Sequence, residues 1–307
     1  MSVRFVHARA HELSPYVEQL RALEREIPYP IADGEDEFRI DHGDTYHPFF
    51  SDMGEAHFIL ALDGDRAVGT VAGVLREAVL RGHRTKLLYA ADMKVARTHR
   101  GGNLARRMLL FAARKMVLQP GGLSWRLAYV AAMRGAKGDV TRTVRGLHLG
   151  QLARPLAVLS LYFTPPAQLA GLDLETAPAS PRLADGLDLS PLDDARPSPE
   201  PGFVTTAGKK DLRLRSTGAP WPLVHLVAGP ATTRPSWPAH LRACGEALGA
   251  RGLPGPACFA LDRRLTAHVD WLARHDIQPG AACTVYALSL TRRTVGASWV
   301  HLATSEI

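Results

Sequence analysis

Arg100-Gly101-Gly102-Asn103-Leu104-Ala105 is a turn that lets something negative approach the main chain. Two successive glycines leave backbone N–H groups unshielded, and the helix expected to open at Asn103 adds the positive end of its dipole, a combination that suits a pyrophosphate. It is not a P-loop, because no Gly-Lys-Ser/Thr closes it, and its glycine spacing is not the dinucleotide fingerprint. The run before it, Leu87 to Val95, carries Tyr89, Asp92 and Lys94 among apolar neighbours. Asp92 is the one acid between Arg81 and Lys137, a segment with thirteen basic residues and a net charge of +12 (13 − 1), whereas the whole chain is +7 (37 − 30). A ligand rich in phosphate explains part of that excess through the positive potential it needs. Solvation of a helix face explains the remainder.

These residues need a strand to carry them and a helix to follow. Leu104, Met108, Leu109, Ala112 and Met116 recur at helical spacing and predict a helix from Asn103 to Leu118, ended by Gln119-Pro120-Gly121-Gly122, with Arg106, Arg107, Arg114 and Lys115 on its other face. Upstream, a strand is expected at Val3 to Val6 and helical segments from Ser14 to Glu26. A hairpin is expected from Phe58–Leu62 and Ala67–Leu75 around Asp63-Gly64. Downstream come a strand from Arg126 to Ala132, a helix from Asp139 to Leu147 and a strand from Leu156 to Phe163. The fold class is α/β with a mixed sheet.

In motif and element order this half resembles the GCN5-related N-acetyltransferases (GNAT), whose coenzyme-A signature is Arg/Gln-x-x-Gly-x-Gly/Ala. Arg100 and Ala105 match its ends, and Asn103 stands where the family has glycine; asparagine visits left-handed backbone readily and caps helices well. The resemblance implies an acyltransferase with acetyl-CoA or another acyl-CoA as co-substrate and no metal. The coenzyme's phosphates would lie against Arg100, Gly101, Gly102, Asn103, Leu104 and Ala105. Its pantetheine arm would pair with the backbone of Met93, Lys94 and Val95, one N–H polarising the thioester oxygen.

The candidate base is Asp92. Its apolar neighbours would raise its pKa, whereas pairing with an Arg or Lys of the basic segment would lower it. Tyr89, three residues earlier, faces the other side of the sheet unless a bulge intervenes. No tyrosine lies in the Asp139–His148 region, where the family often keeps its acid; His148, water or an acceptor-side group is the substitute. Tyr46, His47 and Phe49, in Tyr46-His47-Pro48-Phe49-Phe50, are the expected acceptor wall. The acids Asp33, Glu35, Asp36, Glu37, Asp41 and Asp44 just before it would attract a cationic amine, or are simply solvated.

The expected division is a catalytic domain at 1–164, a Pro-rich linker at 165–202 and a smaller, degenerate GNAT-like domain at 203–307. In the last, the helix start reads Ser236-Trp237-Pro238-Ala239-His240, and Trp237 obstructs a pyrophosphate. Trp271 stands near the family's tyrosine position, so this half has a structural role or forms one wall of the acceptor site. The acceptor is expected to be an amine of a small molecule or peptide. An acyl carrier protein or aminoacyl-tRNA is the alternative donor, suited to a pI near 9.6, and a non-catalytic acyl-CoA-binding module is the alternative function. Cys244, Cys258 and Cys283 fit neither a metal site nor a closed disulfide set and are expected as buried small hydrophobes. No apolar run of membrane-spanning length and no signal-peptide core occurs, which points to a cytoplasmic protein without membrane attachment.

Overall fold

A computed structural model describes residues 3–31, 36–118, 125, 127–135, 138–139, 153–192, 202–233, 235–253, 255–289 and 296–307. The expected helix over 140–147, His148 and the Gln119–Gly122 stop lie outside these residues.

The chain begins with β1 (Arg4–Arg9) and α1 (Val17–Arg25), whose buried positions Leu20, Leu23 and Glu24 share one helical face. β2 (Tyr29–Ile31), β3 (Asp36–Asp41) and the single turn α2 (Pro48–Ser51) follow. β4 (Glu55–Asp63) and β5 (Arg66–Leu80) make the hairpin, with Gly64 at φ +61 in the left-handed region that its Asp-Gly turn requires. Next come β6 (His83–Val95), α3 (Leu104–Leu118), β7 (Leu127–Gly135), β8 (Gly138–Asp139) and β9 (Arg154–Thr164).

The second half supplies α4 (Pro166–Ala170), β10 (Gly186–Asp188), β11 (Phe203–Val204), β12 (Asp211–Leu214) and β13 (Val224–Leu226). It continues with α5 (Trp237–Arg251), β14 (Ala257–Asp262), α6 (Thr266–Arg274), β15 (Pro279–Ser289) and β16 (Trp299–His301). Within the expected linker, Pro166 sits in the first turn of α4, where a missing N–H costs nothing. α4 approaches α5 so closely that a Cβ on Gly245 would come within 2.5 Å of the Ala170 nitrogen. β10 pairs with both β5 and β16. The proline-rich segment is thus packed where it is described, through 192.

One sheet runs through both halves in the order β1-β4-β5-β6-β7-β15-β9-β14-β13-β11. β15 lies antiparallel between β7 and β9, with Val285 opposite Ala131 on one side and Ala157 on the other. β9 in turn pairs with β14. Each half therefore holds a strand of the other. One buried core surrounds Phe50, Phe58, Leu60 and Tyr129, and a second surrounds Trp237, Phe259 and Trp271. A small second sheet, β12-β3-β2, also joins residues from the two halves. All three cysteines are buried, and burial pushes each thiol up to about 12. No helix among the described residues is long and apolar enough to cross a membrane.

Candidate active site

β6 and β7 pair in parallel only from Leu87↔Leu127 to Tyr89↔Tyr129, yet β6 runs on to Val95 and β7 to Gly135. Beyond Tyr89 the two strands part. The Ala96 N–H donates to the Val68 oxygen of β5 at 2.9 Å, so alternation turns the N–H and C=O of Val95 to the opposite edge, the one β7 has left. There the Val95 carbonyl accepts from Arg100 Nε at 3.0 Å. Arg100, Gly101, Gly102 and Asn103 are exposed, Gly101 has φ +85, and a Cβ built on it would meet nothing within 4 Å. α3 starts at Leu104, with Leu104 and Ala105 buried against the sheet. The turn is open, and an unpaired strand edge leads to it.

The same stretch of β6 carries a bulge. Thr70 faces Lys94 and Ala72 faces Ala91, so Val71 alone opposes Asp92 and Met93. Asp92 takes φ +53, which aspartate tolerates better than most residues. The bulge turns the Asp92 carboxylate toward α1, where it joins a buried polar cluster. Tyr46 OH donates to Asp92 Oδ2 at 2.5 Å, and Lys94 Nζ contacts Asp92 Oδ1 while donating to Glu24 Oε1 at 2.8 Å and to Tyr46 OH at 3.3 Å. Glu24 also bonds His42, through Nδ1 at 2.6 Å and the backbone N–H at 3.1 Å. Tyr46 itself has φ +65, so both partners of the 2.5 Å bond sit in left-handed backbone, a cost that the surrounding packing must offset.

The electrostatics of this cluster follow from burial with pairing. Burial opposes the charge on Lys94, yet Asp92, Tyr46, Tyr29 and Glu24 together outweigh it and hold the ammonium well above its usual range. Burial likewise opposes ionised Glu24, but Lys94 and His42 bring it down to about 2. Burial lowers His42, leaving it neutral near pH 7, and burial with the adjacent Asp92 raises the Tyr46 phenol well above normal. Glu24, His42 and Asp92 place one ligand atom each within 4.8 Å of one another, a spacing a metal ion would accept. Lys94 Nζ touches both carboxylates and already supplies that positive charge.

Tyr89 belongs elsewhere. Its ring stacks on Tyr129 with centroids 4.7 Å apart, in a buried group with Arg76 and Glu306, and burial raises its phenol well above the ordinary value. The structure does not bring Tyr89 and Asp92 together. Of the expected acceptor wall, Tyr46 lies inside the cluster and Phe49 is buried against His42 and Phe50, whereas His47 is half-buried and reaches Ser51 at 3.2 Å. Lys210, from the second half, lies 4.4 Å above the Phe49 ring and bonds the main-chain oxygen of Ile307.

Most of the described acids flanking that wall are engaged by the second half. Asp36 accepts from Ser216 at 2.6 Å, Glu37 pairs with Arg215 at 2.6 Å, Asp41 with Arg213 at 2.9 Å and Asp52 with Lys209 at 2.5 Å. Asp44 pairs with Arg21; Asp33 and Glu35 lie outside the described residues. Sequence reasoning reads the acids before the wall as attracting a cationic amine or as solvated, and the structure pairs most of the described ones across the two halves. Sequence reasoning missed Glu24, His42 and the buried side chain of Lys94; the available signal was Glu24, which shares a helical face with Leu20 and Leu23.

No protein-family model and no curated protein matches the chain. Among solved structures it is similar to a tandem GNAT protein from the clavulanic acid biosynthesis pathway, 12% identical over 94% of this chain and 98% of that one, with a TM-score of 0.50. It is also similar to N-myristoyltransferase of Saccharomyces cerevisiae with bound myristoyl-CoA, 10% identical over 94% of this chain and 78% of that one, TM-score 0.51. At such identities the likeness is one of fold. The chain has the tandem GNAT fold, an α/β architecture in two copies.

Proposed function

We propose that the chain is an N-acyltransferase that takes an acyl group, most simply acetyl, from coenzyme A to an amine. The observation that carries this reading is the parting of β6 from β7 after Tyr89, which leaves a strand edge over Met93 to Val95 leading to the open turn at Gly101 and Gly102. A pantetheine arm, with its amides, fits such an edge as an added strand, and the diphosphate fits the glycine amides at the start of α3. The solved relatives add support, since one is crystallised with myristoyl-CoA.

In this reading the first half binds the donor, and Arg100 does two things: it fixes the Val95 carbonyl and keeps positive charge beside the turn. The free N–H groups of the bulged edge are the donors available to polarise a thioester oxygen. Asp92 accepts hydrogen bonds from Tyr46 and Lys94, so it serves to hold the bulge and its charge in place rather than as a freely available base. The attacking amine then enters as its free base, and kcat/KM rises with pH up to the amine's own pKa. The acceptor is a small molecule or peptide, entering beside Tyr46, His47 and Phe49. The 203–307 half is the degenerate copy and, through Lys209 to Ser216, walls the acceptor side.

The test is release of free thiol from acetyl-CoA in the presence of an amine library, alongside calorimetric titration of coenzyme A. Saturable binding with amine-dependent thiol release is expected. Binding without turnover selects a non-catalytic acyl-CoA module, the reading favoured by the Lys94–Asp92 pairing; absence of binding removes both.

A further inference from the structure

A cavity of about 350 Å³ opens between the end of α1, β3, the turn after β6 and the residue following β12. Its lining is Arg25, Glu26, Pro28, Glu37, Arg39, Arg97 and Arg215, which carries a net charge of +2 (4 − 2). The two acids are spent: Glu26 pairs with Arg66 at 2.5 Å and Glu37 with Arg215 at 2.6 Å. Arg25, Arg39 and Arg97 have no acidic partner among the described residues. Arg39 is in a particular predicament, because β3 and β12 place it directly opposite Arg213. Like charges in that register repel. Arg213 is compensated by Asp41 at 2.9 Å and Asp211 at 3.3 Å, and Arg39 is not.

The cavity adjoins the candidate active site through its own chain neighbours. Arg25 follows Glu24 of the polar cluster, and Arg97 stands two residues after Val95. Glu37 and Asp41, which would have favoured a cationic ligand on this side, are paired with Arg215 and Arg213, so the charge left over is positive. Three guanidinium groups around one concavity match the oxygens of a carboxylate or phosphate.

We propose that this cavity is a subsite for an anionic group, a carboxylate or phosphate, carried by the acyl acceptor. The assignment to an acceptor rests on the acyltransferase reading above; the anion site itself does not. The coenzyme's own phosphates are the other source of the same chemistry, and the experiment separates the two.

Inorganic phosphate is titrated calorimetrically into the wild-type protein saturated with coenzyme A, which fills the glycine turn, and into Arg25→Gln/Arg39→Gln prepared in the same way. Both positions are exposed, so the fold is retained. The expected result is saturable phosphate binding to the wild type, at least ten-fold weaker in the variant, with coenzyme A affinity equal within two-fold. Absence of saturable phosphate binding, or a phosphate isotherm indifferent to the variant, overturns the subsite. A ten-fold loss of coenzyme A affinity in the variant overturns its assignment to the acceptor by giving the cavity to the coenzyme. If coenzyme A does not bind at all, the acyltransferase reading fails, and the phosphate isotherms of the two proteins still decide whether the cavity binds anions.

Discussion

α3 and α5 occupy the same place in the two halves, each following a strand at the start of a strand–helix–strand repeat, and they begin in opposite ways. Before α3, residues 100–103 are exposed and Gly101 has empty space where a side chain would be. At the start of α5, Trp237, Pro238 and His240 are buried, and Trp237 Nε1 donates to the Ala228 oxygen at 3.1 Å. The second helix start is a piece of core. Architecture is shared, and the side-chain volume of a single turn separates a half whose helix start is open from one whose helix start is filled.

The largest expected effect concerns the charge buried beside the site. Glu24→Ala strands Lys94 and His42 without their shared carboxylate and should lower unfolding free energy by about 3 kcal/mol, measured by urea denaturation. The matching deletion in the second half, Asp262→Ala, should cost less, about 2 kcal/mol, because Arg264 is 40% exposed and turns to water. Equal losses would break the contrast. Next, Gly102→Trp gives the first half the bulk of the second, and coenzyme A affinity should fall about 100-fold, roughly 2.7 kcal/mol, in a calorimetric titration. Arg100→Ala frees the Val95 carbonyl and removes a charge at the turn; a loss of about ten-fold, near 1.4 kcal/mol, is expected in the same measurement.

The smallest effect is a pH dependence. Glu24 is lowered from the ordinary 4.5 to about 2, so the stability it contributes is whole above pH 4.5 and is lost as pH falls toward 2. The gap in melting temperature between wild type and Glu24→Gln should therefore close between pH 5 and pH 2.5. A gap that stays constant would mean that Glu24 carries no such charge.

Local signals in the sequence were read well. The Asp63-Gly64 hairpin, the strand ending at Val95 and the helix at 104–118 all depend on residues near one another, through turn geometry and apolar periodicity. The insertion of β15 between β7 and β9 depends on pairing across more than a hundred residues, and nothing in a strand's own pattern names its neighbour. The site divides along the same line. The glycine turn was visible because glycine at positive φ has a local cause, whereas the Asp92–Lys94–Glu24 cluster was not. Pairing of Asp92 with a basic residue is one of the sequence readings, but only the bulge opposite Val71 together with the seating of α1 brings Lys94 and Glu24 to it. The acidic stretch reads as a lure for cations or as a solvated loop because its partners at 209–216 lie more than 150 residues away.

The placement of β15 also sets an order of events in synthesis. β7 is held on its far edge by residues 279–289, so the wall across from Met93 to Val95 stays without its flanking support until those residues have left the ribosome. A nascent chain halted after β9 carries the glycine turn, but β7 and β9 have yet to receive the strand that joins them.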